Sequence, residues 1–174
     1  AFSAPYLTPI PAAKINQTLF AEALRLEANF VRCKSGATEL QNAAQLTAVA
    51  APHSGWMARS HKLDHTSNVA GKQTMAARVR STGLKFSTAA ENIAAFDRFQ
   101  FPTGQFKIAN SSKCRFSYQN NKPIPAHSYA SLAQTVVAGW MSSSGHRANL
   151  MNRRIKLAGA GLAYDAASPY CGRF

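Results

Sequence analysis

Two histidines with a spacing suited to metal binding, His61 and His65, stand four residues apart. On a helix this spacing places both imidazoles on one face, as in zinc proteases with the pattern His-Glu-x-x-His. In that pattern a glutamate follows the first histidine and activates water, whereas Lys62 occupies the position here. The sequence therefore argues against a zinc protease of this type.

A third histidine, His53, is followed directly by Ser54. Leu46, Val49 and Met57 recur around it at helical spacing, so His53 lies on the apolar face of a predicted helix. We expect a buried, hydrogen-bonded core histidine. No motif supplies an acid that would complete a Ser-His-Asp triad with Ser54, and this chemistry is not expected.

The charge of the chain favours anionic partners. Lysine and arginine total 20 against 7 acidic residues, which gives a formal net charge of +13. Phosphate backbones, acidic lipids and cell-wall polymers all suit such a charge. The cations are scattered, with no run of five and no basic stripe interleaved with aromatic residues, so a nucleic acid is not expected as the dedicated partner. No apolar run approaches the roughly 20 residues that a membrane span needs.

The three cysteines, Cys33, Cys114 and Cys171, lie far apart and form no C-x-x-C redox or zinc motif. In an exported protein one disulfide and one free thiol are expected, and the sequence leaves three pairings open. We favour Cys114 with Cys171, because both lie in polar, loop-like segments that need anchoring. Three buried thiols are the alternative.

The length of 174 residues suits one domain. Three prolines within residues 1–15 argue for an extended N-terminal arm, which leaves residues 16–174 for the domain. Residues 96–126 are polar and rich in turn formers, and they are expected to form a long irregular insertion, with a loop that includes a short strand as the alternative. The absence of a methionine at position 1 suggests a mature chain whose export signal has been removed.

Apolar periodicity predicts helices and then terminal strands. Helices are expected from Asn16 and Ser128, each acting as N-cap, from near Glu39, and over about residues 67–80. A turn at 146–151 should lead into strands at 155–164 and 170–174. This order predicts an α+β protein with helices against an antiparallel sheet.

Five segments follow one another in a recognisable order: residues 51–58 (APHSGWMA), 63–66 (LDHT), 90–94 (AENIA), 139–150 (GWMSSSGHRANL) and 158–164 (AGAGLAY). Taken together, they resemble the bacterial branch of the CAP superfamily of cysteine-rich secretory, antigen 5 and pathogenesis-related (SCP-like) proteins. The resemblance covers roughly residues 20–174. It implies a three-layer α–β–α sandwich with a small central antiparallel sheet, a shallow cleft, and a secreted or periplasmic location.

The resemblance also implies a histidine and glutamate cluster in the cleft. Carried over by position, His65 and Glu91 are its first histidine and first glutamate, and they are the candidate catalytic pair if there is catalysis. The second glutamate and second histidine of many eukaryotic members would fall near Ser143 and Arg154, where neither is present. His146 is the histidine of the bacterial pattern. No cofactor is required, although His65, Glu91 and His146 would suit a divalent metal such as zinc with an open position.

These observations favour an exported, non-enzymatic binding module with a His/Glu cleft and a basic surface. Its expected partner is an anionic or small hydrophobic ligand, or an extracellular protein. One alternative is a metal-assisted hydrolase at the same cleft, and another is a binder of anionic polymers or lipids through net charge. Two-carboxylate glycoside chemistry is not expected, because Glu91 is the only acid that the resemblance carries into the cleft.

Overall fold

The computed structural model describes residues 2–174. Its regular elements are, in chain order, a 3-10 helix at Ala4–Leu7, α1 (Gln17–Lys34), β1 (Gln41–Asn42), α2 (Ala44–Ser60), α3 (Met75–Arg80), β2 (Lys107–Asn110), β3 (Arg115–Ser117), α4 (Tyr129–Ser142), α5 (Ser144–Leu150) and β4 (Leu157–Ala158). None of the helices in residues 2–174 combines the length and apolarity needed to cross a bilayer.

Helices α1 and α4 form the centre of the core, and both begin at the predicted caps. The Asn16 side chain accepts a hydrogen bond from the backbone of Leu19, and Ser128 forms a capping box with Ser131. The two helices pack closely because small residues meet at their interface. Ala23 and Ala133 are both completely buried. Both predicted helix starts are confirmed.

Antiparallel hydrogen bonds join segments that are mostly too short to count as strands. Residues 96–98 pair with 172–174 on one side, where Phe96 and Phe174 exchange backbone hydrogen bonds of 2.9 and 2.8 Å. On the other side His127 N–H donates to the Arg98 carbonyl over 2.8 Å. Strands β2 and β3 form an antiparallel hairpin beyond this segment, while β1 pairs with β4 in parallel. The predicted α+β class is confirmed.

The segment 157–162 lies between two helical layers. Ala158, Ala160 and Leu162 pack against the core formed by α1 and α4, whereas the intervening glycines face α2. A Cβ at Gly161 would overlap the backbone of Ala51, and one at Gly159 would overlap Thr47. Glycine is therefore required at both positions for α2 to approach this closely.

Several predicted boundaries were wrong. Helix α2 begins at Ala44 rather than near Glu39, because residues 41–43 bond to the chain around β4. Helix α3 covers only Met75–Arg80, capped by the Thr74 hydroxyl, while residues 67–73 form a turn closed by the bond from Ser67 N–H to the Gln73 carbonyl.

The C-terminal half also differs from prediction. Residues 146–151, expected as a turn, belong mostly to α5, and only Leu157–Ala158 of the expected 155–164 strand is regular. The 96–126 segment contains the two short strands β2 and β3, where the sequence allowed for one short strand, and residues 96–100 also pair with other parts of the chain. At the other end of the chain, the N-terminal arm contains a 3-10 helix. Pro5 is tolerated in this helix because it lies in the first turn, where the backbone N–H groups have no partner within the helix.

Candidate functional site

His65 and Glu91, which the sequence singled out, are in direct contact. His65 follows the end of α2, and Glu91 lies in the extended segment 90–94. Nδ1 of His65 is 2.8 Å from Oε1 of Glu91. The imidazole is 52% exposed and the carboxylate 20% exposed, so the pair stands at the edge of the protein surface.

A third residue, Arg78 of α3, completes this cluster. Its Nη2 lies 2.8 Å from each carboxylate oxygen of Glu91, and the side chain is only 3% exposed. The same guanidinium donates to the carbonyl oxygens of His65, Lys72 and Gln73. Arg78 therefore holds the turn before α3 against the segment that carries Glu91.

Sequence reasoning missed Arg78. The only feature of the sequence that pointed to Arg78 was its position in a predicted helix between His65 and Glu91. A lone arginine at such a place is ordinarily a solvated surface residue. Burial of Arg78 depends on three carbonyls and a carboxylate that lie between 5 and 13 residues away.

His146 enters the site through its backbone rather than its imidazole. Its carbonyl accepts a hydrogen bond of 3.0 Å from the Asn92 amide. Asn149, one turn further along α5, donates to the Asn92 side chain over 2.9 Å and to the Glu91 carbonyl over 3.4 Å. Helix α5 thus holds the Glu91 carbonyl and the Asn92 side chain that follows it.

The ligand set His65, Glu91 and His146 is not assembled. Within residues 2–174, no three His, Cys, Asp or Glu side chains converge on a point where they could hold a metal ion. Both Glu91 oxygens already accept from the Arg78 cation, whose charge opposes a second cation at the same carboxylate. These side chains do not fit a divalent metal as placed.

His53 is buried and hydrogen-bonded, which confirms the sequence-based expectation for this residue. It is 5% exposed, its Nε2 is 3.0 Å from the Asp64 carbonyl, and its ring stacks on Trp56. Burial lowers the pKa of His53, and the nearby Arg78 charge lowers it further. Ser54 donates to the Gly161 carbonyl over 3.1 Å, so its hydroxyl binds the segment 157–162.

A second histidine–acid pair lies at the C-terminal end of α2, where His61 terminates the helix in a left-handed conformation. Its Nδ1 is 3.0 Å from Oδ1 of Asp165, and Arg173 Nε is 3.4 Å from Oδ2. Burial alone would raise the pKa of Asp165. The hydrogen bonds from His61 and the Ala167 N–H, with the charge of Arg173, lower it overall. This pair ties α2 to the C-terminal segment.

An apolar cavity of about 260 Å³ lies beside the cluster, between α2 and the core helices. On the α2 side the only buried residue of the helix is His53, which also lines the cavity. Its apolar wall includes Phe20, Leu24, Val49, Met57, Val136 and Trp140. Arg25, His53, Arg78 and Glu91 are among its polar lining residues.

The Arg25 Nε is buried without a hydrogen-bond partner in the part of the chain that the structure describes. One other nitrogen of this guanidinium, Nη1, donates to the Leu40 carbonyl over 3.3 Å. The residue also lines the cavity, so its guanidinium puts a positive charge beside that space, where an anionic or hydrogen-bond-accepting group would be stabilised.

The structure joins Cys114 to Cys171, one of the three pairings that the sequence left open. Their Cα atoms lie 5.8 Å apart, which is a usual separation for a disulfide. Cys33 is an exposed free thiol. The bridge fastens the β2–β3 hairpin to the segment just before the C-terminal residues.

Comparisons with known proteins give two matches. A family model described as CAP, the cysteine-rich secretory protein family, matches residues 27–173. The 1.5 Å crystal structure of an extracellular protein containing an SCP domain, from Bacillus anthracis str. Ames, superposes with a TM-score of 0.58 at 22% sequence identity. The match covers 84% of this chain but only 37% of that one. A search of curated proteins gave no match.

Proposed function

Because the chain belongs to the CAP (cysteine-rich secretory protein) family, we propose that it is an exported, non-enzymatic binding module whose cavity takes a small, mainly apolar ligand. The observation that carries this proposal is the cavity of about 260 Å³ between α2 and the α1–α4 core. Ligand sites are typically concave and mostly apolar, with a few polar groups that orient the ligand.

The volume limits the size of the ligand. A dry apolar cavity of about 150 Å³ binds benzene, and drug-sized ligands occupy about 300–1,000 Å³. A cavity of about 260 Å³ therefore suits a molecule of one or two rings or a short acyl chain. The guanidinium of Arg25, which lines the cavity, favours a ligand that carries a hydrogen-bond acceptor or a negative charge.

Glu91 itself fits a positioning role better than the role of a general base. A general base needs a lone pair that is free to accept a proton from the substrate. The Glu91 carboxylate already accepts from His65 and, at both oxygens, from Arg78. Holding the cavity wall in place is the role that these contacts support.

Export is the second part of the proposal. The family is described as secretory, the similar SCP-domain structure is of an extracellular protein, and a disulfide suits an oxidising compartment. The sequence motifs favour the bacterial branch of the family, for which either secretion or a periplasmic location would suit.

The binding proposal is tested with a neutral fluorescent probe, N-phenyl-1-naphthylamine, so that the net charge of +13 does not drive association. Val49 lines the cavity, and Val49→Trp fills it. Val69→Trp is the matched control, since Val69 is 41% exposed and lies outside the cavity. We expect saturable binding by the original protein and the control, and affinity at least about ten-fold weaker for Val49→Trp, because the substitution removes the space.

The polar end is tested by competition. 1-Naphthoate should displace the probe, and Arg25→Met should weaken naphthoate binding while leaving the neutral probe bound, because only the acid has a group that accepts from Arg25. Unchanged probe binding by a folded Val49→Trp protein would refute the cavity as the ligand site.

A further inference from the structure

The cations of the β2–β3 hairpin stand in a part of the chain that contains no acid. The seven acidic residues are Glu22, Glu27, Glu39, Asp64, Glu91, Asp97 and Asp165, so residues 98–164 carry no negative side chain. The hairpin region contributes Lys107, Lys113, Arg115 and Lys122, and all four are exposed. Among the ion pairs of residues 2–174, none involves these four side chains.

An apolar patch lies against the same hairpin. The rings of Phe99, Phe101, Phe106, Phe116 and Tyr170 form one cluster, with neighbouring centroids 4.5–6.2 Å apart. The centre of this cluster is buried, since Phe116 is only 4% exposed. Its edge is open, because Tyr170 remains 46% exposed.

Ile108 extends this open edge. It pairs with Phe116 across the hairpin, so the two side chains stand on the same face of the strands. Ile108 is nevertheless 51% exposed. An exposed isoleucine therefore belongs to a hairpin whose own charged side chains are all positive, and a half-exposed tyrosine packs against the same hairpin.

The disulfide fixes the geometry of this surface. Cys114 lies in the turn between β2 and β3, and Cys171 directly follows Tyr170. Both cysteines have positive φ, at 52° and 67°, so the bridge joins two tight turns. The position of Tyr170 beside the hairpin rings is therefore set before any partner binds.

We propose that this surface, consisting of residues 107–122 with Tyr170, docks onto an anionic lipid bilayer. Clustered Lys and Arg side chains are attracted to acidic headgroups. Tyrosine and isoleucine side chains suit the boundary between headgroups and acyl chains, where they gain apolar contact. A soluble anionic polymer would pair with the cations but would offer no apolar contact to Ile108 and Tyr170. The exposed apolar side chains therefore favour a bilayer over a polymer as the partner.

The test is co-sedimentation of the full chain, with its disulfide intact, with two kinds of vesicle. One contains phosphatidylcholine alone, and the other contains equal parts of phosphatidylcholine and phosphatidylglycerol. The hairpin variant carries Lys107→Gln, Lys113→Gln, Arg115→Gln and Lys122→Gln. Its matched control carries Lys14→Gln, Lys62→Gln, Arg80→Gln and Lys85→Gln, which removes the same charge from four other exposed positions.

We expect binding to the anionic vesicles only, weakened about ten-fold or more in the hairpin variant and much less in the control. Equal loss in both variants would overturn the proposal, because net charge rather than this surface would then drive binding. Absence of binding to anionic vesicles, or equal binding to phosphatidylcholine vesicles, would overturn it too. Unchanged thermal unfolding of each variant ensures that a loss of binding is not a loss of fold.

A single substitution distinguishes a bilayer from a soluble polymer. Ile108→Ser should weaken vesicle binding several-fold and leave binding to soluble polyphosphate unchanged, because only the bilayer offers an apolar phase. If Ile108→Ser leaves vesicle binding unchanged, the partner is an anionic polymer and the membrane assignment is wrong. The cavity variant Val49→Trp should bind vesicles normally, so the two proposals can fail separately.

Discussion

Arg78 lies beneath Glu91 with one guanidinium nitrogen 2.8 Å from each carboxylate oxygen. The arginine is almost completely buried and the glutamate is four-fifths buried. The acid of the candidate site is therefore the counter-charge of a buried cation. This relationship gives Glu91 a structural role whatever the cavity binds.

Removing the Glu91 carboxylate should destabilise the fold. In Glu91→Ala the Arg78 charge stays buried with only carbonyl oxygens as acceptors, and we expect a loss of about 3 kcal/mol in the free energy of unfolding. Glu91→Gln keeps an acceptor and should lose less. Urea denaturation measures both, with Glu39→Ala as the control, because Glu39 is exposed and forms no ion pair within residues 2–174. A loss below about 1 kcal/mol in Glu91→Ala would show that Arg78 does not depend on its partner.

Acid should destabilise the protein through His127. Burial lowers the pKa of His127 to about 4 from an ordinary value of 6.5, and its Nδ1 is 2.9 Å from the Ser131 hydroxyl oxygen. Between pH 6.5 and about 4 the unfolded histidine takes a proton that the folded one does not. Stability is therefore lost as the pH falls through this window, by about 3 kcal/mol from this residue.

Urea unfolding at a series of pH values measures this slope. His127→Gln should reduce it, and the stability of that variant above pH 7 gives the separate cost of the substitution. His53 contributes a slope of the same sign, since burial lowers its pKa too, so some dependence will remain. An unaltered slope in His127→Gln would contradict the assignment.

A methyl group at Gly161 should push α2 away from the segment 157–162. The Cβ would overlap the backbone of Ala50 and Ala51, and a backbone contact cannot be relieved by rotating a side chain. We expect Gly161→Ala to cost about 2–3 kcal/mol, measured as a lower unfolding midpoint in urea. Gly145→Ala is the control, because a Cβ at Gly145 meets nothing within 4 Å and alanine favours the helix α5. Equal stability of the two variants would argue against close packing of α2.

Features that depend on neighbours in the chain were predictable. Asn16 and Ser128 cap their helices with bonds that reach only three residues, so residue type and position were sufficient. The start of α2 was not predictable. Residues 39–43 read as helical in isolation, but the chain near Lys156 and Ala158 supplies the hydrogen bonds that hold them extended.

The arginines illustrate the same limit. Arg32 is completely buried, and its guanidinium donates to the carbonyls of Thr38, Leu150, Asn152 and Ile155. Nothing in the residue type distinguishes it from the exposed arginines. Three of its four backbone acceptors lie more than a hundred residues away, and the hydrophobic periodicity of the sequence carries no information about them.

By itself, the sequence determined the family, the α+β class, and the chemical groups that could meet. The motifs around His65 and Glu91 are local sequence patterns, so they can be recognised without a structure. Only the tertiary structure decided what these groups do together. In the structure Arg78 pairs with Glu91, the backbone carbonyl of His146 accepts a hydrogen bond from Asn92, and a cavity lies between α2 and the core helices. The sequence did not predict these features, because burial and the pairing of charges depend on residues that are distant in the chain.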